Sequence, residues 1–147
     1  MGAPPFLPYA PMVASPAMFD WRRPGNLGVK DGRLAPCKRT PNCVSSQAEP
    51  QDREHYIGPI AFRGTMRELR AAVESMPRAT VVSADGQYLY AEFRTRLMRY
   101  VDDVELYYDE RAGLVQVRSA SRLGRRDFGV NRGRVEELRV RLRGRGG

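Results

Sequence analysis

Apolar residues recur with a regular period only after Gly58, and the periods found there are those of helices at either end and four strands between them. Gly64-Thr65 opens the first helix. Thr65 can cap it and Glu68 stands three positions on, the spacing at which hydroxyl and carboxylate satisfy each other's orphan backbone amides. Met66, Leu69, Ala72, Val73 and Met76 then share one face, and Pro77 ends the helix because it has no amide hydrogen to continue it. ATVVSA (79–84) and QYLYAEFRTR (87–96) read as strands joined at Asp85-Gly86, a two-residue hairpin signal. YVDDVELYYD (100–109) and GLVQVRSA (113–120) form a second hairpin around 110–112. The last helix begins near Asn131, with Val135, Leu138 and Leu142 as a short apolar stripe among arginines.

Strand alternation gathers Leu89, Ala91, Phe93, Val104, Leu106, Val115 and Val117 on one face and leaves Asp103, Glu105, Gln116 and Arg118 on the other. The expected register pairs Val104 with Val117, which sets Asp103 against Arg118 and Glu105 against Gln116. Asp102 and Asp103 then face opposite ways, so they cannot share a catalytic site without a bulge. The fold class expected is α+β: a four-stranded antiparallel sheet flanked by two helices, preceded by an extended Pro-rich N-terminal arm. The arm occupies 1–33 and one α+β domain occupies 34–147.

The opening MGAPPFLPYAPMVASPAMF holds five prolines, which break any helix and any uninterrupted apolar run of a signal peptide. Such a segment is either a solvated leader or an arm. Phe6, Tyr9, Phe19 and Trp21 favour the arm, because they supply apolar anchors that could lie across a partner protein. No stretch is long and apolar enough to span a membrane, so any membrane role is expected to be peripheral. The net charge of +8 is uneven: six basic and two acidic residues over 1–46 (+4), nine and twelve over 47–117 (−3), ten and three over 118–147 (+7). Arginine supplies 23 of the 25 cations, a bias that fits a GC-rich coding sequence and weakens any argument from charge to nucleic acid. No reader motif for nucleic acid is present, and none is expected to bind directly.

The run Val115 to Arg134 carries six arginines that need an answer from carboxylates or from an anionic ligand. Arg118, Arg122, Asp127, Asn131, Arg132 and Arg134 therefore form the candidate site. They could be a polar network pinning the strand-loop-helix corner, with Asn131 capping the helix, or an anion site at a helix start. Asp103 and Glu105 are the expected cross-strand partners of Arg118. Ser119 and Ser121 sit beside arginines rather than a general base, and neither a phosphate-loop nor a dinucleotide glycine pattern occurs. Cys37 and Cys43 could bridge, bind metal or remain thiols. With His55 as the one histidine, a zinc site lacks ligands and a cysteine nucleophile lacks an orienting acid. No metal, cofactor or catalytic residue is expected.

CKRTPNCVSSQA with Cys37 and Cys43, YVDDVEL around Asp102, Asp103 and Glu105, and RSASRLGRRDFGVNRGRVEELR from Arg118 together resemble the DUF1499 family, whose function is undefined, over about residues 34–143. Members occur as lipoprotein-like or organellar proteins, and similar domains serve as accessory subunits of respiratory complex I in some protists. The resemblance therefore implies a non-catalytic accessory subunit of a larger membrane energy-transducing assembly, mitochondrial and peripheral to the inner membrane; docking to other subunits through the arm, which has no counterpart in the family, is expected from the arm's own apolar residues. The alternative is a small anion-binding or hydrolytic domain, as in a bacterial cytoplasm, using the arginine-rich corner.

Overall fold

The computed structural model describes residues 22–96, 100–124, 126 and 128–144; Phe6, Tyr9, Phe19, Trp21 and Asp127 lie outside the described residues. Eight elements follow in order: β1 (Cys43–Ser45), β2 (Ile60–Ala61), α1 (Met66–Glu74), β3 (Ala79–Asp85), β4 (Tyr88–Arg94), β5 (Val101–Asp109), β6 (Leu114–Ser121) and α2 (Val130–Leu142). The fold is α+β, but its sheet has six strands rather than four. Its order is β1-β6-β5-β4-β3, with β2 paired beside β1 on β6. The two additional strands are three and two residues long, too short to show a period, and they arise from the loop that covers the open edge of β6.

Local chemistry places the rest. The Thr65 hydroxyl accepts from the Glu68 amide while the Glu68 carboxylate accepts from the Thr65 amide, closing the expected box at the start of α1. The β3–β4 turn differs by one residue from expectation: Asp85 pairs with Tyr88, so the loop is Gly86-Gln87, with Gly86 at a φ of 63°. Glycine tolerates that left-handed conformation without a side-chain clash. Gly113 closes the β5–β6 turn in the same region of φ, and a Cβ there would strike the Arg63 guanidinium.

One face of the sheet, with both helices, holds the core. Leu89, Leu106 and Val117 lie in one cross-strand row and are fully buried, with Leu69 and Val73 of α1 and Val135 and Leu138 of α2 in the same cluster. The register of β5 and β6 is shifted by two residues from the expected one. Leu106, not Val104, stands opposite Val117, which sets Glu105 against Arg118 and Asp103 against Ala120. A shift of two preserves every residue's face, so the apolar pattern alone could not distinguish the two registers. The four-residue turn, 110–113, selects between them.

Leu106→Ala opens a cavity at the centre of this row, where neighbours on three strands cannot all collapse inward. The expected loss of stability is about 2–5 kcal/mol, read as a lowered urea midpoint with an unchanged slope.

Candidate functional site

β5 carries two consecutive buried carboxylates, and the pleat sends them to opposite faces of the sheet. On the inner face Asp102 receives Nη2 of Arg134 at 2.8 Å. Nη1 of Arg134 donates to the Asn131 side-chain oxygen at 3.0 Å and to the Ser119 hydroxyl at 3.2 Å, and its guanidinium carbon lies 4.7 Å from the centre of the Phe93 ring. Ser119 donates to the Asn131 oxygen at 2.5 Å, and the Asn131 amide donates to Ser121 Oγ at 2.8 Å and to the Asn42 carbonyl at 3.2 Å. Asn131 thus faces the sheet, as expected, but does not cap α2. The helix begins one residue earlier, behind Gly129, which takes a left-handed φ of 81° and caps without a side-chain bond.

The outer face holds a second network. Arg122 clamps Asp103 with Nε to Oδ2 at 2.9 Å and Nη2 to Oδ1 at 2.8 Å, and Nη2 also reaches Glu92 at 2.7 Å. Tyr90 donates to Asp103 at 2.5 Å, and Arg23 donates to Glu92 at 2.6 Å. Glu105 accepts from the Tyr88 hydroxyl at 2.6 Å and from the Gly28 amide at 2.7 Å, while Nη1 of Arg118 stops 3.8 Å from its other oxygen. Burial opposes ionisation of Glu92, but hydrogen bonds from Arg23, Tyr90 and Arg122 outweigh it and hold the pKa down to about 2. The hydroxyls of Tyr88 and Tyr90 are pushed above the ordinary phenolic range, first by burial and then by the carboxylates they donate to. Hydrogen bonding to Asp103 raises Arg122, whereas burial lowers Arg118.

The expected arginine cluster is therefore not one site. The sheet separates Arg134 and Asn131 from Arg118 and Arg122. Arg132 leaves in a third direction, donating to the Tyr56, Arg53 and Glu54 carbonyls, and so ties α2 to the preceding loop. Arg139 binds the Pro59 and Gly58 carbonyls and Arg141 the Ser75 carbonyl, which fastens the helix along its length. Cys37 and Cys43 form a disulfide across a sequence separation of 6. His55 sits beneath that loop with Nδ1 2.8 Å from Asp52 and Nε2 2.9 Å from the Thr40 carbonyl, an arrangement that a doubly protonated imidazolium satisfies in full. Burial disfavours the charged ring, yet these acceptors raise its pKa overall, and the same bond lowers that of Asp52.

Arg23, Gly28, Tyr88, Tyr90 and Glu92 belong to these networks although no motif in the sequence singles them out, and Asn42 belongs to them from inside the CKRTPNCVSSQA run, where only the cysteines are candidates. Alternation along YLYAE does put Tyr88, Tyr90 and Glu92 on the face of Asp103 and Glu105, so their membership is written in the strand period itself. Nothing local marks Arg23 or Gly28, which arrive from 60 to 80 residues away. Chemically, Ser119 and Ser121 bind an asparagine, Tyr88 and Tyr90 bind carboxylates, and the imidazole of His55 bridges the Asp52 carboxylate and a backbone carbonyl. No group of three His, Cys, Asp or Glu residues able to hold a metal occurs among the described residues.

The chain belongs to DUF1499, a family described as proteins of unknown function, which matches residues 33–142. No curated protein and no solved structure matches it.

Two predictions come from these networks. Asn131→Ala strands Ser121 Oγ and the Asn42 carbonyl and should cost about 1–3 kcal/mol, whereas Arg134→Ala leaves Asp102 buried without its guanidinium and should cost about 3–5 kcal/mol. Thermal and urea denaturation of each variant checks both the size and the order. The second concerns pH. The folded pKa of His55 lies above 6.5, so its contribution is complete below that pH and fades as pH rises through the folded value. That of Asp52 lies below 3.8, so its contribution is complete above that pH and fades on further acidification. The stability difference between the native chain and His55→Ala should therefore be largest between about pH 4 and 6.5 and shrink towards pH 8. A difference independent of pH over that range would contradict the assignment.

Proposed function

We propose that this DUF1499 chain is a non-catalytic accessory subunit of a larger membrane energy-transducing assembly, with mitochondrial respiratory complex I as the candidate implied by its family resemblance. The observation that carries this reading is Phe128. Its side chain is 92% exposed and its backbone holds a positive φ of 52°, a conformation that costs roughly 1–2 kcal/mol in a residue with a Cβ. Val130, 46% exposed, stands two residues on. An aromatic residue held outward at such a cost suits burial against another protein better than solvent.

The interior supports a scaffold role. Arg122 pairs with Asp103 and Arg134 with Asp102, the two cysteines are joined, and Ser119 and Ser121 of the inner network lie against Asn131 rather than against a general base. No described helix is long and apolar enough to cross a membrane, in keeping with a peripheral position on the inner membrane. The Pro-rich arm supplies further anchors at Phe6, Tyr9, Phe19 and Trp21, whose ordering proline makes less costly. Docking through both surfaces would accumulate affinity without any catalytic centre.

Native-gel analysis of membranes from the source should place the full chain in a megadalton complex. A chain lacking residues 1–21 keeps Arg23 and Gly28 on the sheet, so it should fold with a near-native melting temperature yet lose most of its co-migration. Phe128→Asp should lower occupancy in the same way. Migration of the full chain by itself, or full occupancy by the truncated chain, would overturn the proposal.

A further inference from the structure

The two halves of the Cys37–Cys43 bridge differ in burial. Cys43 begins β1, is 3% exposed, and its sulfur lies 4.0 Å from the carbonyl oxygen of the buried Val44. Cys37 is half-buried in irregular chain and borders a cavity of about 370 Å³ whose wall does not include Cys43. In thiol and disulfide exchange a thiolate attacks one sulfur and expels the other, so access decides which of the two is attacked. A thiol held in this cavity meets Cys37, with Cys43 as the leaving group behind it.

The wall of this cavity is cationic. Arg33, Lys38 and Arg39 bear on it against Glu49, while Asp52 is held by His55 at 2.8 Å. The balance is positive whether the imidazole is charged or neutral. Arg33 donates to the Gln47 carbonyl rather than to a carboxylate, and neither Lys38 nor Arg39, both exposed, has an ion-pair partner among the described residues. Such a field gathers anions and favours a thiolate over its thiol. The volume falls within the range usual for small-molecule sites.

We propose that Cys37 is an exchange site for a small thiol that carries a carboxylate. The incoming thiolate attacks the Cys37 sulfur and forms a new S–S bond to it. The Cys37–Cys43 bond breaks, its electron pair leaves on the Cys43 sulfur, and that thiolate takes a proton from solvent. Attack by Cys43 on the adduct restores the bridge and expels the thiol. Attack by a second molecule of the thiol instead leaves both cysteines reduced and oxidises two molecules of the thiol to their disulfide. Opening the bridge loosens the loop whose Asn42 side chain holds the Leu123 and Gly124 carbonyls. The site uses neither Phe128 nor residues 1–21, so it stands or falls apart from the docking role.

The oxidised full chain is treated with mercaptoacetate, 2-mercaptoethanol or cysteamine, which bear a negative, a neutral and a positive group beside the thiol. N-ethylmaleimide stops each sample by capping free thiols. Trypsin, cutting after Lys38 and Arg39, then separates Cys37 on residues 34–38 from Cys43 on residues 40–53 for mass spectrometry. In the earliest samples the adduct should sit on Cys37 and the maleimide on Cys43. That preference should vanish in concentrated urea, where both sulfurs are open to attack. Each rate is divided by that of the same thiol with bis(2-hydroxyethyl) disulfide, which removes differences in intrinsic reactivity. The quotient should fall about tenfold from mercaptoacetate to cysteamine at low ionic strength and level out as salt is added. Arg39→Gln, an exposed change that keeps the cut at Lys38, should reduce that span about threefold. An adduct on Cys43, equal labelling of both cysteines in the folded chain, no adduct with any of the three thiols, or a charge order that is absent or reversed overturns the proposal.

Discussion

Two adjacent aspartates on the central strand β5 set the terms for the rest of the molecule. Asp102 and Asp103 are each 1% exposed, and the pleat obliges them to face opposite sides of the sheet. An isolated buried carboxylate is prohibitively unfavourable, so each layer must bring a cation to it. Arg134 enters from α2 on the inner side and Arg122 from the end of β6 on the outer side. The segment between those two arginines must therefore cross from one face to the other within a few residues of the sheet edge. Gly124 and Gly129, both at positive φ, make that reversal feasible. The rotation of α2 about its axis is fixed by the same requirement, because Asn131 and Arg134 must share the sheet-facing side with Val135 and Leu138.

The outer face would ordinarily be the solvated side of an antiparallel sheet, with polar residues left in water. Here it is covered. The Gly28 amide and the Pro36 carbonyl supply backbone partners to Glu105 and Arg118, and Arg23 closes over Glu92. Covering converts surface charges into buried ones, which explains why tyrosine hydroxyls accompany the carboxylates and why nearly every donor is spoken for. Among the described residues, the Arg118 Nε–H and the Glu105 Oε1 are the buried side-chain atoms of this face without a hydrogen-bond partner.

The legible part of the fold is the part governed by local period. The capping box at Thr65 and Glu68, both hairpins and the apolar face from Leu89 to Val117 follow from spacing within a few residues. The β5–β6 register escaped because registers two residues apart place the same side chains on the same face. Turn closure decided between them. The arginine run was legible as a charge problem but not as three separate solutions, since the destinations of Arg118, Arg132 and Arg134 depend on where Pro36, Tyr56 and Asp102 lie in space. The role of Asn131 misled for a related reason. Asparagine at a helix start suggests a cap, yet here two strand hydroxyls and a loop carbonyl drew it inward.

The disulfide loop joins the two faces. Asn42 accepts from Asn131 through its carbonyl on the inner side, while its side-chain amide holds the Leu123 and Gly124 carbonyls at the crossing. Thr40 accepts from His55, and Cys43 begins the strand that pairs with Ala120 next to Arg118. A bridge over so short a separation restricts the unfolded chain weakly, about 2 kcal/mol by the chain-entropy argument. Its larger effect is positional. With Cys37 tied to Cys43, Lys38 lies in the closed loop and lines a cavity on the outer face together with Arg118 and Arg122. Without the bridge, the loop's hold on this region would rest on the hydrogen bonds of Asn42, Thr40 and Arg118, of which the Thr40 bond depends on the protonation of His55. Lys38 on the outer side and the Asn42 carbonyl that Asn131 binds on the inner side are thus positioned by one seven-residue loop, Cys37 to Cys43.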